Sequence, residues 1–215
     1  MPDVLTLAAP AEAELVEKKS RFLARLAPAA TVEDADAVIH AARIASPGAR
    51  HHCSAMIIDA EPSPVTRSND DGEPSGTAGM PILQVLQGAH VTNVIAVVTR
   101  HFGGIKLGTG GLARAYGGAV STALASATLL RRTAVAVVTL EVPHAQAGAA
   151  ENAVRLFVAA HGGQVEPAEY GSTGVRLTVL VGPDLVDALR ADVAAWSGGR
   201  LSPALRGERV LDLPL

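Results

Sequence analysis

The chain has 215 residues and is 48% hydrophobic but only 3% aromatic, which is room for two domains of roughly 100 residues whose cores must be built from Ala, Val, Leu and Ile packed as helices on sheets. A net charge of −3 removes any global electrostatic reason to bind nucleic acid, so a contact with a polyanion must be local. A single cysteine, Cys53, excludes an intramolecular disulfide, and without a signal peptide or an apolar run near the ~20 residues of a membrane span the expected location is the cytoplasm, with no membrane partner.

In chain order, VLTLAAPAEAELVEKKSRFLARLAPA predicts two or three short strands with Lys18, Lys19 and Arg21 at a turn or edge. Thr31 opens a helix: its hydroxyl caps the first turn, Glu33 and Asp34 suit the positive end of the dipole, and Val38, Ile39, Ala42 and Ala45 recur at helical spacing until Pro47-Gly48. HHCSAMIID reads as a strand with PSPVTRS as its hairpin partner, AGMPILQVLQGA as a short helix entered through Pro81, and VTNVIAVVTR as a central strand covered on both faces. HFGGIKLGTGG is a glycine-rich loop and LARAYGGAVSTALASA a helix.

Composition shifts after Arg131-Arg132, which places a boundary between residues 1–132 and 133–215. From TAVAVVTLEVP onward the order is strand, helix (about 144–160), strand, strand (GVRLTVLV), helix (about 183–195) and final strand, with a turn at His161-Gly162-Gly163. That β-α-β-β-α-β order is the ferredoxin-like pattern.

Two loops concentrate chemistry. Seven glycines fall between His101 and Gly118, and a loop of this kind feeding a helix offers outward N–H groups to an anion, with Lys106 and Arg114 adding charge. The same glycines also serve sharp turns and close packing, as Gly117-Gly118 would. Gly103 and Gly108 have the Walker interval, but Thr109 stands where that loop needs lysine, and Gly108-x-Gly110-x-x-Ala113 lacks the acidic residue a ribose requires. No cofactor is therefore assigned. In the acidic stretch SNDDGEPSGTAGMPIL, Asp70, Asp71 and Glu73 serve either as turn residues, as partners of a magnesium ion and phosphate, or as a general base, while Ser75, Gly76 and Thr77 offer hydroxyls and amides. His51, His52 and Cys53 invite zinc, yet on a strand His51 and Cys53 share a face and His52 opposes them, and neither His90 nor His101 is tied to them by a ligand spacing. A buried cysteine flanked by hydrogen-bonded histidines is the alternative.

HHC (51–53), DDGEPSGTAGMPIL (70–83) and VVTRHFGGIKLGTGGLARAY (97–116) together resemble the YigZ/Impact family, and the resemblance accounts for the whole chain. The family usually has tyrosine where His101 stands. The resemblance implies an α/β (α+β) two-domain protein. Its Impact-type N-terminal domain would be similar to a ribosomal-protein domain and to domain IV of elongation factor G, and its ferredoxin-like C-terminal domain to the last domain of that factor. Eukaryotic Impact proteins act in translational control, whereas bacterial members have no established activity, so the resemblance implies RNA, a ribosome or a translation factor as partner.

The expected site is a groove between the two loops. One wall is Asp70, Asp71, Glu73, Ser75, Gly76 and Thr77; the other is Gly103, Gly104, Lys106, Gly108, Thr109, Gly110 and Gly111. Arg67, Arg100, Lys106 and Arg114 would contact phosphates of RNA or another phosphate-type anion, with His51, Cys53 and His101 as further candidates. The alternative is an enzyme acting on a small phosphorylated or nucleotide substrate, with Asp70 or Asp71 as base or magnesium ligand and Lys106 stabilising transferred charge.

Overall fold

The computed structural model describes residues 4–60 and 63–215. Strands β1 (Val4–Leu7), β2 (Ala11–Glu17) and β3 (Ser20–Pro28) lead to helix α1 (Val32–Ala45), then β4 (His51–Ile58), β5 (Val65–Asn69), α2 (Gly79–Gly88), β6 (Val94–His101) and α3 (Thr109–Ser126). Strand β7 (Leu129–Val142) is followed by α4 (Ala147–His161), β8 (Gln164–Val165), β9 (Glu169–Tyr170), β10 (Val175–Val181), α5 (Val186–Ser197) and β11 (Ala204–Pro214). One unit runs to Arg132 and takes in Asp212–Leu215; the other is Thr133–Leu211.

The first unit is built on an antiparallel sheet of order β2-β3-β6-β4-β5, with β6 in the middle. Side chains alternate across it. Phe22, Leu26, Cys53, Ala55, Val94, Ala96 and Val98 pack with Ile82, Leu86, Tyr116, Ala119 and Val120 of α2 and α3, whereas Met56, Ile58, Ile95 and Val97 pack with Ala35 of α1. The apolar run in β6 thus reflects a strand buried on both faces. Helix α1 begins with a capping box, in which the Thr31 hydroxyl accepts the Asp34 amide at 3.1 Å and the Asp34 carboxylate accepts the Thr31 amide at 3.0 Å. Strand β5 pairs with β4 as a hairpin; Pro62, the first residue of the segment expected to form it, lies outside the described residues.

The β2–β3 turn consists of Lys18 and Lys19, at φ 45° and 64°. A two-residue turn with both φ positive matches the twist of a hairpin but normally uses Asn or Gly. Gly103 rests directly on it: a Cβ there would overlap the Lys19 carbonyl and the Ser20 amide nitrogen. Its N–H donates to Ser20 Oγ at 3.1 Å, so the glycine-rich loop is fastened to the hairpin at its first glycine.

In the second unit the sheet order is β8-β10-β7-β11, with β9 on the edge of β10. Counting β7, β8, β10 and β11 as strands one to four, the order is 2-3-1-4, the split β-α-β arrangement. Helices α4 and α5 supply Val154, Phe157, Leu189 and Val193 to its core. Two details depart from the sequence expectation. The second strand is only two residues long, with β9 as an additional short pair. The last residues, Asp212–Leu215, group with the first unit rather than with a domain spanning 133–215, and Asp212 Oδ1 lies 3.8 Å from Arg132 Nε within that unit. No described helix is long and apolar enough to cross a membrane.

Candidate functional site

The acidic loop joins β5 to α2 and is organised by its own carboxylates. Asp70 Oδ1 accepts the amides of Ala78 at 2.9 Å and Gly79 at 2.8 Å, and Oδ2 accepts the amide of Gly76 at 2.7 Å. Asp70 therefore serves the uncapped N-terminus of α2 from eight residues upstream, where Ala78 itself provides no side-chain cap. Burial alone would raise the Asp70 pKa, but the amides of Gly76, Gly79 and Ala78 together outweigh it and hold the carboxyl below its ordinary value. Asp71 adopts φ 43°. Its Oδ1 accepts Arg43 Nη2 at 2.6 Å, its Oδ2 accepts the His52 amide at 2.7 Å, and its carbonyl accepts His51 Nδ1 at 2.9 Å. Again burial pushes upward, while Arg43 and the His52 amide hold the pKa down. Both aspartates are thus committed to folding the loop. Neither suits the general-base or magnesium role open to it from sequence, and among the described residues no three His, Cys, Asp or Glu side chains are placed to hold a metal ion.

Glu73 behaves differently. Its side chain is 4% exposed, and Oε1 accepts Arg100 Nη1 at 2.7 Å and Tyr116 Oη at 2.8 Å. Arg100 is near the end of the central strand, opposite Phe22 on one side and His51 on the other. Its guanidinium carbon lies 5.5 Å from the Phe22 ring centroid and 5.4 Å from that of Phe102, an aromatic setting that favours arginine. Nε of this side chain is buried without a partner. Burial pushes the Tyr116 hydroxyl pKa upward, so it remains a donor to Glu73.

Glu73 and Pro74 from the acidic loop, Arg100 near the end of β6, Phe102 just after it, Lys106 to Gly108 from the glycine-rich loop and Thr109 and Leu112 from the start of α3 line one cavity of about 390 Å³. Gly108, at φ 73°, makes the bend before α3 and leaves that 18-residue helix without a side-chain cap. Its first amides are open to an anion. Lys106 has no ion pair among the described residues.

The remaining sequence candidates are placed elsewhere. Arg67 lines a hollow with Asp36, Ile39, Ser54, Met56, Ser68 and Asn69, and Arg114 lines another with Leu15, Glu17, Lys18, Leu107, Gly111 and Ala115. Neither shares the cavity of Lys106 and Arg100. Ser75 is exposed in the loop, and the buried Thr77 hydroxyl donates to the Pro74 carbonyl at 2.6 Å. Gly104 lies between Phe102 and Lys106 but is not part of the cavity lining, and Gly110 and Gly111 lie in the first turn of α3. His51 and His101 line a neighbouring hollow with Gly48, Arg50, Arg100 and Phe102. Tyr116 and Phe102 were not among the site candidates; the available signal was that each belongs to a very small set of aromatics, two Tyr and three Phe in the chain.

Cys53 is buried on the α3 face and donates to the Asp70 carbonyl at 3.0 Å. Burial pushes the thiol up to about 12, opposed by the neighbouring Tyr116 hydroxyl, with Glu73, Asp71 and Asp70 adding to the rise. A thiol at that value is neither a nucleophile nor a ready metal ligand near neutrality. Ellman's reagent at pH 8 is expected to leave the native protein unmodified and to titrate one thiol after denaturation; rapid reaction of the native protein would contradict this placement.

His52 faces α1, buried, with Nδ1 3.0 Å from Thr99 Oγ1. Burial lowers its pKa, Arg43 adds to the effect, and Asp71 opposes it. Because the folded value is the lower one, the unfolded chain binds the proton more readily, and stability is lost as pH falls below about 6.5, the unfolded histidine value. The urea midpoint is expected to decline from pH 7.5 to 5.5 and His52→Gln to flatten that decline; an unchanged slope would show that His52 does not carry it.

A five-stranded antiparallel sheet with helices on both faces and a cavity between two motif loops, followed by a ferredoxin-like unit, defines a two-domain protein with mixed α and β structure. The Impact N-terminal domain matches residues 18–124 and a domain of unknown function (DUF1949) matches residues 140–200. The chain belongs to the IMPACT family. It is 47% identical over 130 residues to the IMPACT family member YigZ of Escherichia coli (strain K12), covering 60% of this chain and 64% of that protein. It is 42% identical over 144 residues to YvyE of Bacillus subtilis (strain 168), covering 67% and 66%. The chain therefore spans just under two thirds of these curated relatives. A crystal structure of a hypothetical protein, 37% identical, superposes with a TM-score of 0.58 over 94% of this chain and 97% of that one.

Proposed function

We propose that the protein is a cytoplasmic binding protein of translation or its regulation, and that the cavity between the acidic and glycine-rich loops holds phosphate of RNA, free or within a ribosome. The observation that carries this reading is one convergence. The open N-terminus of α3, the unpaired Lys106 and the buried Arg100, with its unpartnered Nε, line the same cavity. Glu73 lines this cavity too and offsets the charge of Arg100, so the positive charge offered to an anion comes chiefly from Lys106 and the first amides of α3. Membership of the IMPACT family supports the link to translation, since the resemblance to eukaryotic Impact proteins implies translational control. The overall charge of −3 restricts such binding to this local patch. The enzymatic alternative has less support, because Asp70 and Asp71 are held by the loop rather than presented to a substrate.

Filter binding across a salt series tests the reading. RNA affinity is expected to fall steeply with salt, and Lys106→Ala to reduce the log–log slope by about 0.7, the value for one phosphate contact on a single strand. Absence of salt-sensitive RNA affinity would overturn the proposal. A larger effect from Arg114→Ala than from Lys106→Ala would move the site to the other hollow.

A further inference from the structure

The cavity at α3 does not end at Arg100. On the other side of Arg100 and Phe102 lies a second hollow of about 630 Å³, lined by Gly48, Arg50, His51, Arg100, His101 and Phe102. No carboxylate lines it. Arg50 is exposed and without an ion pair among the described residues; of the acids in the loop, Asp71 is taken by Arg43 and the His52 amide, and Glu73 by Arg100. The divider is Phe102, which is 57% exposed. Its exposed ring offers a face on which a planar group can stack. It is also supported from beneath: Arg100, 7% exposed, holds its guanidinium carbon 5.4 Å from the ring centroid.

We propose, resting on the phosphate reading above, that the ligand is a single-stranded RNA segment that crosses Phe102, with a base stacked on the ring and a phosphate held in each hollow. In one hollow the phosphate meets Lys106 and the α3 N-terminus; in the other it meets Arg50; Arg100 stands between them. A positive channel interrupted by an aromatic platform is how single strands are held without base-specific readout, because every base has a face to stack. A mononucleotide fills only the hollow at α3, with its phosphate on Lys106 and the helix N-terminus, whereas an oligonucleotide fills both.

Fluorescence anisotropy with labelled hexauridylate, competed by unlabelled hexauridylate or by UMP, separates the outcomes. Hexauridylate is expected to bind at least about tenfold more tightly than UMP. Phe102→Ala is expected to weaken hexauridylate about tenfold, the size of one lost stacking contact, while Phe102→Tyr retains it. Arg50→Ala is expected to weaken hexauridylate and leave UMP unchanged. Both positions are exposed, and thermal melts of the variants check that they fold. Hexauridylate binding no tighter than UMP, or indifferent to Phe102→Ala and Arg50→Ala, would overturn the two-hollow path while leaving the phosphate site at α3 standing. Failure of both ligands to bind would overturn both.

Discussion

Replacing Glu73 by alanine is expected to destabilise the first unit by about 3–5 kcal/mol, the cost of leaving a buried charge without its partner. Arg100 is 7% exposed, and its Nε already lacks an acceptor. Without Glu73 its Nη1 loses its carboxylate, and the Tyr116 hydroxyl loses the same oxygen. Arg100 is packed against Phe22 and Tyr116 lies edge-on to Phe22 at 5.1 Å, so only water in the cavity that Glu73 and Arg100 line can replace the lost oxygen. Urea unfolding is best followed by far-UV circular dichroism, because the single tryptophan, Trp196, belongs to the second unit. A loss under about 1 kcal/mol would show that the ion pair is relieved by solvent.

The double variant Glu73→Leu with Arg100→Met distinguishes stability from function. Replacing a buried ion pair by apolar groups of similar volume is often neutral or stabilising, so this variant is expected to recover most of the loss while no longer binding RNA. Recovery of stability without binding would mean that the pair is retained for the cavity it lines. Lysine in place of Arg100 would not substitute, since a point charge on a flexible stem reproduces neither the contact with Phe22 nor that with Phe102.

The architecture was readable where local pattern and tertiary role agree. Thr31 marked the start of α1 because its hydroxyl and Asp34 form a reciprocal cap, and β6 read as central because both of its faces are buried. The ferredoxin-like order of the second unit followed from its punctuation by glycine and by alternating helices and strands. What stayed hidden depends on register. Sequence shows that Arg100 ends an apolar strand, but not that β3 and β4 set Phe22 and His51 on either side of it. Nor does it show that β1 pairs with Leu129–Arg132, more than a hundred residues away along the chain. Within DDGE, three carboxylates of similar chemistry separate into three uses: Asp70 on amides, Asp71 on Arg43 and His52, Glu73 on buried Arg100 and Tyr116. That division is decided by which partners the sheet brings within reach, and the spacing of the acids carries no trace of it. Arg67 and Arg114 were separated from Lys106 for the same reason.

Asp70→Ala carries the second large effect. Its carboxylate is the acceptor for three amides, two of which, on Ala78 and Gly79, are buried at the start of α2. A buried donor left without an acceptor costs about 1–3 kcal/mol; the Gly76 amide is exposed and recovers water. For two such donors the expected loss is therefore about 2–6 kcal/mol. Asp70→Asn is expected to fall between the two, because one amide oxygen serves Ala78 and Gly79 while its NH₂ then confronts the Gly76 donor. The loss must also depend on pH with a defined sign. Since the folded pKa of Asp70 is depressed, its contribution is fully present above the unfolded value near about 3.9 and disappears as pH falls through the folded one. Wild type and Asp70→Ala should accordingly converge in stability in acid and differ most above about pH 5; a difference that persists unchanged into strong acid would show that the carboxylate charge is not what holds the loop. The same substitution loosens the turn that presents Glu73 and Pro74 to the cavity, so RNA affinity should fall with it, although Asp70 itself lines no part of that cavity. Binding lost through a residue outside the cavity, with the salt slope preserved, would identify Asp70 as the support of one wall, in contrast to Lys106, whose loss lowers the slope itself.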